Sequence, residues 1–82
     1  MIEKEIIIGK LTDIFRSIFR NDQIVLADGL TSLDVENWDS LSHMLMITEV
    51  EKTFSVKFSL REVNQLKNVG ELIGFIESKL SV

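Results

Sequence analysis

Three segments of this sequence repeat apolar residues at intervals of three and four, while the one alternating stretch, Ser55-Val56-Lys57-Phe58, is short. The first spacing belongs to amphipathic helices and the second to strands, so an all-helical chain is predicted. Eighty-two residues without proline or cysteine sharpen that expectation. No proline interrupts a helix, and neither a disulfide nor a thiolate metal site can staple the fold. Stability must come from an aliphatic and aromatic core, which a hydrophobic content of 45% can supply. One small domain over residues 1–82 is expected, with no interior to spare for a deep catalytic cleft.

The first helix is predicted over residues 2–20, with Ile7, Leu11, Ile14, Phe15 and Ile18 facing the core and Ile8 and Phe19 widening the stripe. Gly9 is its weak point, costing about 1 kcal/mol relative to alanine. Residues 21–38 form a long loop rich in turn formers, among them Asn21, Asp22, Asp28-Gly29, Thr31-Ser32 and Asp34. A connection of this length suits a compact domain only if its apolar residues, Ile24, Leu26, Leu30, Leu33 and Val35, pin it across the bundle. The acidic spacing does not fit a calcium-binding loop.

Residues 40–54 read as a second helix with two apolar sets. At about 100° per residue from Leu41, the residues Met46, Val50, Phe54 and Ile47 fall between about 140° and 240°, a single core-facing stripe. Leu41, Met44 and Leu45 fall on the opposite side, within about 60° of the starting direction. One face cannot bury both, so the second set is expected to stay at least partly exposed and serve a partner. Ser59 and Glu62 form a capping-box pattern for a short third helix, residues 60–66, with Leu60, Val63 and Leu66 on its apolar side. Asn68 and Glu71 repeat that pattern for a last helix, residues 69–80, whose stripe is Val69, Leu72, Ile73, Ile76 and Leu80. The predicted architecture is a small four-helix bundle, three main helices and one short one, with a long first loop.

The charge of −4 is unevenly spread. Between Asn21 and Glu51 there are seven acids and no lysine or arginine, whereas both flanks are slightly basic. Nucleic acid, which needs the opposite sign, is excluded as the expected partner, and a basic protein surface would be steered to this region. No apolar run reaches the ~18 residues of a membrane span, and the acidic start, Met1-Ile2-Glu3-Lys4-Glu5, is no secretory signal. A cytoplasmic, monomeric, free-standing protein is expected. A lone histidine excludes a His-rich metal cluster, and no metal site is predicted.

The acidic region converges on Asn37-Trp38-Asp39-Ser40-Leu41, where the polar segment ends and the second helix begins. Asp39 is the N-cap candidate, which sets the Ser40 hydroxyl on the first turn, facing solvent. The positive end of the helix dipole would favour a phosphate ester there. Trp38, just before the cap, is expected to anchor the loop as in a hydrophobic staple, with a path beside an attached group as its alternative role. Ser40 and His43 share a helical face, which raises a serine-hydrolase reading. Against it, Asp39 is placed to cap rather than to orient an imidazole, and Trp38 and Ser42 occupy the glycine positions of a nucleophile elbow.

Asp39-Ser40-Leu41 at the head of an amphipathic helix, the spacing from Trp38 to Phe54, and the small acidic chain together resemble the acyl carrier proteins and peptidyl carriers. The resemblance implies an all-α, acyl-carrier-like bundle and a phosphopantetheine arm, taken from coenzyme A, on Ser40. The arm's thiol would hold an acyl or aminoacyl group as a thioester. A phosphopantetheinyl transferase and enzymes that load and transfer acyl groups would be the partners. Asp39, Leu41, Met44, Leu45 and, secondarily, Glu49 and Glu51 would meet them, with His43 a further contact. The chain itself would be a non-catalytic carrier. Ser42 and Leu45 stand where housekeeping fatty-acid carriers commonly have acids, which implies a specialised pathway, such as polyketide, peptide or surface-glycan modification. The alternative is a small acidic interaction module that is never modified.

Overall fold

The computed structural model describes residues 3–80 and contains four helices: α1 (Lys4–Ile18), α2 (Ser40–Phe54), α3 (Leu60–Gln65) and α4 (Val69–Leu80). The all-helical bundle predicted from periodicity is therefore observed. Helix α1 ends two residues before the predicted stop, with Arg20 in a left-handed turn at φ 52° and the Asn21 N–H bonded back to the Arg16 carbonyl. The predicted start at residue 2 lies outside the described residues.

The core is built from the predicted stripes. Ile7, Leu11, Ile14, Phe15 and Phe19 from the α1 segment meet Met46, Ile47, Val50 and Phe54 of α2 and Val69, Leu72, Ile73 and Ile76 of α4. These are thirteen of the seventeen apolar residues buried among the described residues, and Val56 and Val63 close the bundle from the α3 side. No polar side chain is buried among the described residues, so the interior carries no desolvated charge.

The long loop is pinned as its apolar content requires. Ile24 and Val35 are buried, and Leu26 and Leu30 pack half-buried against the core. Leu33 is the exception, 95% exposed. Asp34 accepts from the Thr31 backbone N–H and hydroxyl and closes a tight turn there, so Leu33, within the turn, points outward. The loop is also tied by its backbone. The Val69 and Gly70 N–H groups, unpaired donors of the first turn of α4, bond the carbonyls of Leu30 and Asp28 at 3.0 and 2.9 Å.

The predicted capping box of α3 is present, Ser59 with Glu62. Before α4, Asn68 accepts from the Glu71 N–H, but the Glu71 carboxylate accepts from the Lys67 N–H rather than from Asn68, so only half of that box forms. Helix α3 departs from expectation at Leu60, which is 69% exposed rather than on the apolar side. Phe58 takes that place from the connector, packing edge-on against Phe75 of α4 at 6.2 Å. The connector is held by Glu51, whose carboxylate accepts from the Phe58 N–H at 2.8 Å. Glu51 thus serves the fold, a role the sequence did not reveal.

Candidate functional site

Helix α2 begins at Ser40 because Asp39 caps it. The Asp39 carboxylate accepts from the Ser42 N–H at 2.9 Å, while the Ser42 hydroxyl accepts from the Asp39 N–H at 2.8 Å. That same hydroxyl donates to the Asn37 carbonyl at 2.7 Å and holds Asn37 in a left-handed conformation, φ 73°. Hydrogen bonds from Ser42, backbone first and then hydroxyl, hold the Asp39 carboxyl below the usual carboxylate range. Ser42 is the functional neighbour that sequence reasoning missed. A capping box is sought with Glu or Gln at this position, and serine carries no such signal.

Ser40 itself is exposed on the first turn, as predicted. Of the N–H groups at the helix start, that of Ser42 is engaged by Asp39. The exposed hydroxyl has room for a phosphoryl group. Beside it lies a groove of about 470 Å³, with Trp38, His43 and Met44 on one side and Val63, Asn64, Leu66 and Lys67 on the other.

Trp38 anchors the loop, but on more than α2. Its ring packs edge-on against Phe15 at 5.4 Å and lies 5.5 Å from Phe19, both in the α1 segment. It also stacks on His43, and its indole N–H donates to His43 Nδ1 at 3.0 Å. Since an indole nitrogen only donates, Nδ1 is the acceptor and the ring proton sits on Nε2, which faces the Val63 carbonyl at 3.4 Å. Both imidazole nitrogens are thus engaged away from Ser40. His43 is therefore not placed to act as a general base for Ser40, and the Ser-His pair that raised the hydrolase reading is not formed.

The second apolar set of α2 is exposed as predicted: Leu41 by 71%, Leu45 by 50% and Met44 by 44%. Glu49 lies on the same helix, paired with Lys52 at 3.9 Å. Among the described residues no group of acids and histidines is arranged to hold a metal ion, and no helix is long and apolar enough to cross a membrane.

Residues 9–76 match the family model described as the phosphopantetheine attachment site. The fold is similar to a holo acyl carrier protein from Geobacter metallireducens, solved in solution by NMR. That chain is 43% identical, the alignment covers 90% of this chain and 85% of the other, and the TM-score is 0.84. A second similar fold, described as an acyl carrier protein from Mycobacterium tuberculosis, has a TM-score of 0.73 at 24% identity, covering 92% and 95% of the two chains. No curated protein sequence matches. With the family model spanning well over half of its length, the chain belongs to the phosphopantetheine-attachment family of acyl carrier proteins, whose prosthetic group is covalently bound.

Proposed function

We propose that Ser40 carries the phosphopantetheine arm and that residues 1–82 act as a single, non-catalytic carrier domain. The observation that supports this most directly is the contrast between two hydroxyls on one turn: Ser42 is locked into the cap while Ser40 faces solvent. In the attachment step, the Ser40 oxygen displaces adenosine bisphosphate from the pyrophosphate of coenzyme A. A P–O bond forms, the old one breaks, and the serine proton passes to a base of a separate transferase. The tethered thiol then brings an acyl or aminoacyl group to successive enzymes at high effective concentration. Leu41, Met44 and Leu45 form the docking face toward the transferase and the acyl-handling enzymes, with Asp39 and Glu49 at its border. Because this face is more apolar than charged, it suits enzymes of a specialised pathway.

Incubation with coenzyme A, Mg²⁺ and a broad-specificity phosphopantetheinyl transferase should add one arm mass to the intact protein and none to Ser40→Ala. Absence of the adduct with several transferases would overturn the assignment. The exposed apolar set also supports a second reading, an unmodified interaction module. That reading requires Ser40→Ala to retain partner binding in full while Met44→Glu abolishes it.

A further inference from the structure

Helix α3 forms one wall of the groove beside Ser40, yet little in its own sequence holds it there. Six residues fall well short of the ~12–15 that an isolated helix needs in water, and Val63 is the one residue of α3 that is buried. Its position must come from ties to neighbouring elements, and a charged one comes from α4. The Lys79 ammonium bonds both carboxylate oxygens of Glu62, at 2.9 and 3.0 Å. It also lies 5.1 Å from the centroid of the Phe58 ring. Both charged side chains are about three-quarters buried, 23% and 25% exposed, which separates this pair from an ordinary surface ion pair.

Glu62 is doubly committed, because it also accepts from the Ser59 N–H at 2.8 Å to complete the cap of α3. The pair therefore fixes the N-terminal end of α3 to α4. The other end presents Val63, Asn64, Leu66 and Lys67 to the groove, and the Val63 carbonyl faces His43 and, through it, Trp38. Hydrogen bonding from Ser59, and then Lys79, holds the Glu62 carboxyl below the usual range, consistent with an ion pair that persists in the fold.

We propose that Lys79, on the last turns of α4, is a positioning residue that sets the place of α3 and with it the width of the groove beside Ser40. It acts on the site through Glu62 and α3, without approaching Ser40. Any group lying beside Ser40 meets a wall whose placement is decided at the far end of α4. The inference goes beyond the carrier reading and stands whether or not Ser40 takes an arm, so failed arm addition would leave it intact.

The test uses the full chain and three variants. Lys79→Met keeps the stem over Phe58 but removes the charge; Glu62→Gln keeps an oxygen for the Ser59 N–H but removes the ion pair; Lys79→Arg restores a cation. Amide hydrogen exchange by NMR should show the Val63 and Leu66 N–H groups exchanging at least tenfold faster in the first two variants, with core amides of α1 and α2 unchanged. The Trp38 indole N–H resonance should shift in the same variants, because the Val63 carbonyl behind His43 moves. Lys79→Arg should restore both. Unchanged α3 exchange would overturn the proposal, as would a uniform acceleration across all four helices, which reports lost global stability instead.

Discussion

Ser40 and Ser42 sit two residues apart on the first turn of α2, and their hydroxyls serve different ends. The Ser42 oxygen joins Asn37, Asp39 and the helix backbone into one hydrogen-bonded knot, so its removal unties several partners at once. Ser42→Ala should cost about 1–2 kcal/mol in urea denaturation, whereas Ser40→Ala should stay within about 0.5 kcal/mol of the parent. Acid should act at the same place. The Asp39 carboxyl is held low in the folded state, so its contribution is complete above the ordinary carboxylate range and is lost as pH falls through its depressed folded value. The acid limb of a stability–pH profile should accordingly be shallower in Ser42→Ala, which loses one of the bonds that depress Asp39. Asp39 was legible as a cap because few residue types fill that role. Ser42 was not, because a serine reaches the cap backbone only after the chain has folded back at Asn37, a conformation no spacing rule encodes. Trp38 and His43 fall between these cases: their positions match the two ends of a staple, but the hydrogen bond joining them depends on ring orientation.

Helix α2 was the most legible element, because a 15-residue helix with two opposed apolar sets admits few placements in a bundle this small. Met46, Ile47, Val50 and Phe54 are buried, and Leu41, Met44 and Leu45 are not. Val50→Ala should therefore destabilise by about 1.5–3 kcal/mol, the cost of lost burial plus an unfilled cavity. Leu45→Ala, although it removes more carbon, should cost less than about 0.5 kcal/mol. Parallel denaturant melts decide the matter, and equal large losses would mean that α2 is covered on both faces. Helix α3 was legible in its cap but not in its apolar side. Over a turn and a half the stripe is too short to fix a direction, and the choice of Phe58 over Leu60 as the packing residue is made by Phe75 on α4.

At the scale of the molecule, the bundle follows from the helical stripes, but the path of the 21-residue segment between α1 and α2 does not. Beyond Phe19, its buried residues, Ile24 and Val35, have no period, and Leu33 is as apolar as Leu26 and Leu30 yet points into solvent. What fixes the path is contact with α4, and Gly70 is the residue that permits it. A Cβ at Gly70 would lie 3.0 Å from both the Cβ and the carbonyl oxygen of Asp28, the oxygen that also accepts the Gly70 N–H. The glycine is needed here for space and not for backbone freedom, since no glycine among the described residues has a positive φ. Alanine is the better helix former by about 1 kcal/mol, but at this position it must push the loop carbonyl away and forfeit a helix-start hydrogen bond. Gly70→Ala should thus destabilise by about 1–2 kcal/mol net. Gly9 and Gly74 are the controls, because a Cβ at either meets nothing within 4 Å. Each change to alanine there should stabilise by up to about 1 kcal/mol. Thermal melts of the three variants would then move in opposite directions although the chemical change is identical. A rise in melting temperature for Gly70→Ala would show that the loop does not rest against the start of α4, and the pinning of the long connection would need another source.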